Sequence, residues 1–502
     1  MTAIPREIRR VLIANRGEIA VRIIRACREE GITSVAVYSD PDRTSNHVLL
    51  ADEAYRLGGA APRESYLNQG RILEICREAK VDAVHPGYGF LAENPEFTER
   101  LEHEEICFIG PGSAAIRALG DKMRARQLSR ELGIPTVVGS SSAIESEADA
   151  RQVAEEIGYP VLLKAAAGGG GKGMRIVAAA KDFASALRAA KSEALGAFGD
   201  SRVYLEKYIS APRHVEMQIL GDGNGNAVYL GERDCSVQRR HQKVIEESPC
   251  PIMTPELRQR MGEAAVRLVS AAKYANAGTV EFLVDAKGEF FFLEVNTRLQ
   301  VEHPVTESIT AMDLVKEQFR IARTSALAIR QEEVSIRGAA LECRIYAEDP
   351  SEGFMPSTGK LKTYWVPSGP RVRIDSGYRE GDSVEIYYDP LLAKVITWGR
   401  SREEAIGTML RALAEFRIVG VRTTIPFCAA VLEHESFRSG SYNTGFVAEY
   451  FDPKLLGAPR DGELAAAALT AAHVTLRKSP KPARHYGAGR TSAWKYRGRE
   501  PE

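Results

Sequence analysis

Short apolar segments alternate with segments of helical period through the first 120 residues, and no other feature restricts the fold as strongly. Apolar segments suited to buried strands occupy residues 9–14, 35–38 and 81–84, and apolar side chains recur at helical spacing over 18–30 and 71–80. Strands that alternate with helices in this way build a parallel sheet with helices on its faces. We therefore predict an α/β fold that begins with a doubly wound parallel sheet over residues 1–120.

The pattern of predicted helices and strands changes near residue 120 and again near residue 335. Residues 121–335 combine helices, apolar strands and one glycine run, and we predict that they form a second domain. Short strands, turns and one helix near residues 402–413 predict a third, α+β domain over 336–452. Residues 453–502 are alanine-rich and then basic, which predicts a poorly packed tail, with partner docking as the minor alternative.

Charge and cysteine content exclude several functional classes. Lys+Arg and Asp+Glu both total 67, so no overall charge favours a nucleic acid or a membrane surface. No stretch approaches about eighteen consecutive apolar residues, and the first thirty residues lack an apolar signal core. The seven cysteines are scattered without a C-x-x-C pair, which predicts free thiols and neither disulfides nor a zinc site. Together these observations predict a cytoplasmic enzyme.

The most informative stretch runs from Glu294 to Glu302. Side chains of an extended strand alternate between its two faces, so one face of this stretch carries two carboxylates, a guanidinium and two amides, namely Glu294, Asn296, Arg298, Gln300 and Glu302. The opposite face is mostly apolar. A surface strand is seldom decorated in this way, and the pattern predicts a functional site, with a salt-bridged, half-exposed strand as the alternative.

A hairpin is predicted to bring a further carboxylate to this face. The preceding strand, residues 279–284, reaches the stretch through a turn at residues 285–288, and antiparallel pairing then places Glu281 nearly opposite Glu294. Two carboxylates and an amide carbonyl suit a hard cation such as Mg²⁺, usually shared with the phosphates of a nucleotide. The sequence thus predicts metal ligation by Glu281, Glu294 and Asn296.

Two other polar segments are less specific. Glycines 168–171 with Lys172 follow a strand that contains Lys164, and backbone N–H groups of such a run could bind phosphate, although a flexible loop is as common. The run from Glu232 to Lys243 has no apolar period, which predicts a loop or an edge strand with basic residues around a small anion. Cys235, within this run, is interpreted as a bystander thiol, because no ordered Cys–His pair can be argued.

These stretches together resemble the biotin carboxylase family of the ATP-grasp superfamily, from about Arg9 to Phe451. The resemblance is carried by long runs, among them VLIANRGEIAVRIIRAC at 11–27, HPGYGFLAEN at 85–94, LLKAAAGGGGKGMRIV at 162–177, PRHVEMQ at 212–218, ERDCSVQRRHQKVIEESP at 232–249, EVNTRLQVEHPVTE at 294–307 and ECRIYAEDP at 342–350. It implies an N-terminal domain over 1–120, an ATP-grasp domain over 121–335 with a lid at about 140–205, and a C-terminal domain over 336–452.

The resemblance also implies roles for individual residues. Nucleotide contacts fall on Lys122, Lys164, Gly170, Gly171, Glu206, Lys207, Tyr208, Ile209, His214, His241, Glu281 and Glu294. The metal ligands are again Glu281, Glu294 and Asn296, for Mg²⁺ or Mn²⁺. The bicarbonate site falls on Lys243, Arg298, Gln300, Val301 and Glu302, and Arg344 lies beside biotin. Of these residues, Lys243, Arg298, Glu302 and Arg344 are the expected catalytic set.

The chemistry that the resemblance implies is the first half-reaction of a biotin-dependent acyl-CoA or pyruvate carboxylase. ATP and bicarbonate give carboxyphosphate, and its CO₂ is transferred to biotin on a separate biotin carboxyl carrier protein. Carboxyltransferase subunits and a homodimer are implied as well, as is a place in fatty acid synthesis within an acetyl-CoA carboxylase complex. Tyr346 and the run 387–390 resemble the propionyl and methylcrotonyl types slightly more, so the final acceptor stays open.

Two rival interpretations share the nucleotide site. One is another ATP-grasp ligase, of the purine or carbamoyl-phosphate type, against which Arg344 and the run 232–249 argue. The other is a non-catalytic ATP-binding protein, against which the intact polar face at 294–302 argues. A biotinylated lysine is expected in a Met-Lys-Met setting, and none of the nine methionines precedes a lysine. We therefore expect that this chain is not itself biotinylated.

Overall fold

The first strand and helix follow directly from the apolar pattern of the N-terminus. In the computed structural model, which describes residues 7–140, 144, 146–165, 174–456 and 469–473, Val11 and Ile13 of the first strand pack with one buried cluster. Leu12, between them, packs with another cluster. Both faces of the strand are therefore covered, as the central strand of a doubly wound sheet requires.

The N-terminal sheet has five parallel strands in the order β3-β2-β1-β4-β5, which confirms the predicted architecture. The strands are β1 (Arg10–Ile13), β2 (Thr33–Ser39), β3 (Glu53–Gly58), β4 (Ala83–His85) and β5 (Cys107–Phe108). The helices that cover them are α1 (Gly17–Glu29), α2 (Asn46–Leu50), α3 (Gln69–Glu78), α4 (Pro95–His103) and α5 (Ser113–Gly120).

A small second sheet carries its own apolar core. Its strands are β6 (Val161–Ala165), β7 (Arg175–Val177) and β8 (Val203–Lys207), in the order β7-β6-β8. Helix α6 (Lys122–Glu131) precedes this sheet, and α7 (Glu147–Ile157) and α8 (Phe183–Phe198) belong to it. Leu163, Phe183 and Leu205 are among the buried side chains that hold this unit together.

The following segment supplies five long antiparallel strands and three helices. The strands are β9 (Arg213–Asp222), β10 (Ala227–Arg239), β11 (Gln242–Ser248), β12 (Ala275–Val284) and β13 (Phe290–Asn296). The helices are α9 (Pro255–Ala271), α10 (His303–Thr310) and α11 (Leu314–Thr324). Thr254, whose side chain accepts a hydrogen bond from the backbone N–H of Leu257, caps α9 ahead of Pro255, as is usual for a helix start.

Short strands dominate the last part of the described chain, as predicted. They are β14 (Ala339–Tyr346), β15 (Glu348–Asp349), β16 (Met355–Pro356), β17 (Gly359–Lys360), β18 (Thr363–Trp365), β19 (Val372–Ser376), β20 (Ser383–Val384), β21 (Leu391–Gly399) and β22 (Arg417–Val419). The helices are α12 (Arg402–Glu415), α13 (Ile425–Glu433), α14 (Glu435–Arg438) and α15 (Phe446–Tyr450). The sequence of residues 384–388 suggests a strand, but the strand ends at Val384, because residues 385–390 form no ladder.

One eight-stranded sheet joins the middle and the last part of the chain. Its order is β13-β12-β9-β10-β11-β14-β21-β19, so the pairing of β11 with β14 crosses the proposed division at residue 335. One unit of the chain ends at Phe451 and a second begins at Asp452, and most of the predicted tail at 453–502 lies outside the described residues. Among the described helices, none has the length and apolar character needed to cross a bilayer.

Candidate active site

A cleft of about 1750 Å³ collects nearly every residue that the sequence singled out. Its walls come from α1, from the small sheet and from the eight-stranded sheet. The predicted residues on it are Lys122, Lys164, Glu206, Lys207, Tyr208, Ile209, His214, His241, Lys243, Glu281, Glu294, Asn296, Arg298, Gln300, Val301 and Arg344. Glu302 lies fully buried just behind this wall. Gly170 and Gly171 lie outside the described residues.

The hairpin of β12 and β13 has the predicted register, with Glu281 directly opposite Glu294. Glu281 is buried, and its Oε1 accepts a hydrogen bond of 2.8 Å from Nδ2 of Asn296. The Nε2 atom of His214 lies 2.8 Å from the other oxygen, Oε2. Glu294 instead pairs with Lys122 at 2.7 Å. The hairpin thus places two carboxylates and an amide side by side at the cleft.

The polar row beyond Asn296 does not continue as a strand, which corrects the prediction of an extended segment to Glu302. β13 ends at Asn296, and the chain passes without ladder pairing into α10, whose first turn contains Pro304. The polar side chains still converge. Nη1 of Arg298 donates to Oε1 of Gln300 at 2.8 Å, and Nε2 of Gln300 donates to Oε1 of Glu281 at 3.2 Å.

The residues on the other face of this stretch, Val295, Thr297, Leu299 and Val301, point away from the cleft as predicted only in part. Val295, Thr297 and Leu299 are buried behind the cleft. Val301 lines the cleft, and its carbonyl oxygen accepts a hydrogen bond of 2.8 Å from Nζ of Lys394. The turn that leads into α10 therefore brings one member of the apolar row to the same wall as the polar row.

Lys243 is the centre of the site, because three carboxylates surround its ammonium group. Its Nζ lies 2.6 Å from Oε2 of Glu216, 2.7 Å from Oε1 of Glu281 and 2.7 Å from Oε1 of Glu302. Burial alone would lower the pKa of Lys243, but these carboxylates raise it well above its ordinary value. The lysine therefore stays protonated, and its single positive charge does not neutralise all three carboxylates.

Glu302 is held between two cations at the first turn of α10. Besides Lys243, it contacts Arg344, whose Nη2 donates to Oε2 of Glu302 at 2.9 Å. Burial alone would raise the pKa of Glu302, but Lys243 and Arg344 outweigh burial and hold it well below its usual range. Glu302 is therefore ionised at neutral pH and has the charge state that a proton acceptor needs.

The polar run from Glu232 to Lys243 is neither a loop nor an edge strand, and this prediction is wrong. It forms β10 and β11, which are interior strands of the eight-stranded sheet. Its charges are buried as pairs: the fully buried Arg233 contacts Oε1 of Glu216 at 2.5 Å and Oε1 of Gln218 at 2.7 Å. Because paired charges replace apolar side chains here, a search for an apolar period fails.

A further group of cations, Lys164, Arg126 and Lys207, lies on the side of the small sheet. Nζ of Lys164 is 2.6 Å from Oε2 of Glu206, and Arg126 binds the other oxygen of the same carboxylate. Nζ of Lys207 instead donates to the carbonyl of Gly158 at 2.8 Å, so its charge is directed at the backbone. His241 lies exposed in the turn between β10 and β11, with a positive φ of 65°.

Two residues that hold the site were missed in the sequence. Glu93 accepts a hydrogen bond of 2.8 Å from Nε of Arg298 and fixes that side chain. Glu216 lies below Lys243 on β9, where His214, Glu216 and Gln218 alternate with apolar residues. This is the same period of two that marked residues 294–302, so Glu216 could have been found. Nothing in the pattern around Glu93 indicates its role.

The donor set of the hairpin fits a hard divalent cation. Two carboxylates, Glu281 and Glu294, and the amide oxygen of Asn296 are oxygen ligands of the kind Mg²⁺ and Mn²⁺ prefer. Two other clusters in the described chain bring ligand atoms within 4.8 Å, His214–Glu216–Glu281 and Glu216–Cys235–Glu302. Each of these clusters includes a ligand atom that is not oxygen, the nitrogen of His214 or the sulfur of Cys235, and hard cations such as Mg²⁺ prefer oxygen. The hairpin set therefore suits a metal–nucleotide complex better.

Cys235 fits the predicted bystander role by its environment. It is fully buried, and its Sγ lies 3.8 Å from Oε1 of Glu302. Burial raises its pKa well above the ordinary value, and the nearby carboxylate of Glu216 adds to the shift. A thiol in this state is a poor nucleophile. None of the seven cysteines forms a disulfide.

Comparison with known proteins identifies the family. Residues 7–116 match the N-terminal domain of biotin carboxylase, residues 342–449 match its C-terminal domain, and residues 121–330 match the ATP-binding domain of the carbamoyl-phosphate synthase L chain. Biotin carboxylase 1 of Bacillus subtilis is 51% identical over 444 residues, which cover 88% of this chain and 99% of the relative. The biotin carboxylase of a Nostoc species is 49% identical over 440 residues, with 88% and 98% covered.

Solved structures agree with this assignment. The biotin carboxylase domain dimer of Hydrogenobacter thermophilus 2-oxoglutarate carboxylase, in complex with MgADP, ADP and bicarbonate, superposes with a TM-score of 0.86 at 46% identity, with 89% of this chain and 98% of that chain covered. Biotin carboxylase from Campylobacter jejuni gives a TM-score of 0.86 at 44% identity, with 88% and 99% covered. The chain therefore belongs to the biotin carboxylase family, the ATP-dependent ligases that carboxylate biotin with bicarbonate.

Proposed function

We propose that this chain carboxylates biotin carried by a biotin carboxyl carrier protein, and that the cleft residues divide the work as the family resemblance implies. The observation that carries the proposal is the ion network of Lys243, Glu302 and Arg344 in a cleft that also holds Lys122, Lys164 and the hairpin carboxylates, of which Glu281 contacts Lys243. An anion site that contains an ionised base thus adjoins a site for a metal–nucleotide complex.

The nucleotide end supplies positive charge for the phosphates. Lys122 and Lys164 are paired with Glu294 and Glu206, so both side chains are held at the cleft before a nucleotide arrives. Glu281, Glu294 and Asn296 would hold Mg²⁺ or Mn²⁺, which neutralises phosphate charge when it is bound. His241, Tyr208 and Ile209 would contact the nucleotide from the rim. These assignments are the ones that the family resemblance implies, and the positions of the residues on the cleft support them.

Bicarbonate binds between Lys243 and Arg298, with Gln300 and the backbone of Val301 completing the site. Glu302 takes the proton of bicarbonate, and the oxygen so activated forms a bond to the γ-phosphorus of ATP while the bond to ADP breaks. The resulting carboxyphosphate gives CO₂ and phosphate, and the phosphate takes the ureido proton of biotin. The positive charge of Arg344 stabilises the biotin anion that then attacks CO₂.

We infer that a carrier protein presents biotin, and the inference is supported by the 502 residues of the sequence, in which no methionine precedes a lysine. The test is a streptavidin blot of the purified chain, and a reactive band at its mass of 55.1 kDa would contradict the proposal.

We infer that carboxyltransferase subunits complete the reaction within an acyl-CoA or pyruvate carboxylase. An acetyl-CoA carboxylase of fatty acid synthesis is one such assembly. Co-purification of the biotinylated partner, followed by assays with acyl-CoAs and pyruvate, identifies the acceptor.

The arrangement into domains and into a dimer is also part of this proposal. We propose domain divisions at residues 120, 335 and 452 and a lid over about 140–205, and the separate apolar core of the small sheet supports the lid alone. A homodimer is supported by the related domain described as a dimer. Sedimentation equilibrium of the purified chain tests the dimer, and a single species of 55.1 kDa at micromolar concentration would contradict it.

Release of ADP tests the catalytic proposal. We expect that it requires bicarbonate and a divalent cation together, and that free biotin accelerates it. The measurement omits one component at a time, with a chelator in place of the metal. Undiminished biotin-stimulated turnover without bicarbonate would contradict the assignment of Lys243, Arg298 and Glu302 to a bicarbonate site.

A further inference from the structure

Two buried glutamates face each other behind Arg344, and the mechanism above uses neither. Glu246 of β11 and Glu342 of β14 are directly opposite in the ladder that joins the two strands. Both are fully buried. Residues opposite each other on antiparallel strands have Cβ atoms about 5 Å apart, so the two carboxyl groups are within reach of each other.

The positive charge around the pair is insufficient for two carboxylates. Nη2 of Arg344 lies 2.6 Å from Oε1 of Glu246, but the same nitrogen also contacts Glu302. Lys394, on the far side, lies 3.2 Å from Oε1 of Glu18 and donates to the carbonyl of Val301. Within the described part of the chain, no hydrogen-bond donor reaches either oxygen of Glu342.

Other titratable groups near the pair do not supply the missing charge. The groups that face it are Arg344, Cys343 and Tyr346 from β14, Lys243 from β11, Cys235 from β10, Lys394 from β21 and, at the start of α10, Glu302. The three cations among these are shared with the carboxylates of Glu18, Glu216, Glu281 and Glu302. Two ionised glutamates in this place would leave one negative charge buried and unpaired, which is strongly unfavourable.

We propose that Glu246 and Glu342 hold one proton between them and that the pair, with its single negative charge, positions the guanidinium of Arg344 for the anion of biotin. Glu342 carries the proton and donates it as a hydrogen bond to Glu246, which stays ionised against Arg344. The arginine is then held at Nη2 by Glu246 and Glu302, and it keeps attraction for an incoming anion. Both glutamates are positioning residues, because neither touches the substrate.

The direction of the pKa shifts is consistent with this arrangement. Burial, opposed by Arg344, raises the pKa of Glu246 to about 7. Burial, opposed by Lys394 and reinforced by the charge of Glu246, raises the pKa of Glu342 well above its usual value. Two carboxyl groups that share a site lose their protons in two separate steps. The second step converts the pair into a dianion at alkaline pH, which binds Arg344 too tightly and weakens its hold on biotin.

The proton itself is measured by infrared difference spectroscopy at pH 7. The wild-type chain should show a band of a protonated carboxyl group that is lost in Glu342→Gln. Glu246→Gln should shift the same band, because Glu342 then donates its proton to an amide in place of a carboxylate, and it serves if the first variant folds poorly. The matched control is Glu247→Gln, the next residue of β11, whose carboxylate is paired with Arg402 on the other face. A band that survives unchanged in both variants overturns the proposal.

The positioning role is measured as the ratio of ADP release with biotin to ADP release without it, from pH 7 to 9.5. The wild-type ratio should fall at alkaline pH by about tenfold per pH unit once the proton is lost. Glu342→Gln should lower the ratio about two- to threefold at pH 7 and then stay flat, while Glu247→Gln should follow the wild type. An alkaline fall in Glu342→Gln parallel to the wild type, or a flat wild-type ratio, overturns the proposal.

This inference rests on the proposed function, and the two can fail separately. If the proposed function is wrong, biotin does not stimulate the wild-type chain at any pH, while the infrared band still reports the shared proton. If only the inference is wrong, biotin stimulation is intact, and either the band survives unchanged in the variants or the pH profiles run in parallel.

Discussion

Replacing Glu302 by glutamine should separate catalysis from nucleotide binding. The amide keeps the size of the side chain but cannot take a proton from bicarbonate, and loss of a general base lowers turnover by roughly 10²–10⁴-fold. This corresponds to about 3–5 kcal/mol of activation free energy. The fold should tolerate the change, because Lys243 keeps Glu216 and Glu281 and Arg344 keeps Glu246. The free energy of unfolding should fall by less than the roughly 3 kcal/mol expected when a buried ion is left without any partner.

The assay compares kcat for ADP release with the Kd for ATP, measured by calorimetry in the presence of Mg²⁺. Glu302→Gln should keep the wild-type Kd within about twofold, because Glu302 contacts Lys243 and Arg344 and lies behind the anion end of the cleft. The contrasting variant is Glu206→Gln, at the nucleotide end, which should weaken ATP binding through Lys164. Wild-type turnover in Glu302→Gln would refute the assignment of the base, and a large loss of ATP affinity would refute the division of the cleft.

Three further predictions concern the metal, the anion site and acid stability. Glu294→Gln should raise the metal concentration needed for half-maximal activity, measured by Mn²⁺ titration, and an unchanged requirement would remove this residue from the ligand set. Glu93→Gln should raise the KM for bicarbonate about fivefold without changing kcat, because a loosened Arg298 is worth about 1 kcal/mol; an equal fall in kcat would contradict a role in anion binding. Burial, opposed by the hydrogen bond that Nε2 of His85 donates to Oε1 of Gln318, lowers the pKa of His85 to about 3, so stability should fall as the pH drops from about 6.5, by about 2 kcal/mol at pH 5. His85→Gln should lose part of that dependence in thermal melts at pH 7 and 5, with His103→Gln, an exposed histidine, as the control.

Local patterns predicted the parallel sheet of residues 1–120 and the core of the site. The apolar period of α1 and of the short strands around it needs no distant contact to be seen, but β3, β5 and the order of the strands were not predicted. The row from Glu294 to Glu302 was visible for the same reason, since alternation is a property of neighbouring residues. Even there, the sequence did not show that the strand stops at Asn296, because the start of α10 overrides it.

The interior strands β10 and β11 could not be predicted from an apolar period. Their burial depends on partners that are distant in the sequence: Arg233 needs Thr306, and Glu246 needs Arg344. The contact of Glu302 with Arg344, 42 residues apart, is of the same kind. Such pairs turn charged residues into core residues, and only the folded chain shows which charges meet. The family resemblance supplied the roles of these residues, and the contacts explain why those roles are physically possible.

The continuous eight-stranded sheet has a consequence for engineering. Arg344 lies on β14 and Lys243 on β11, and backbone hydrogen bonds join these two strands directly. A chimera spliced at residue 335 would therefore exchange one side of a hydrogen-bonded ladder for a foreign strand, and it would have to rebuild the register that sets Arg344 against Glu302. Grafts that aim to change the carrier protein should leave β14, β19 and β21 in place and exchange the loops between them. β19 is an edge strand of this sheet, so a foreign segment can be added beside it without replacing a paired strand.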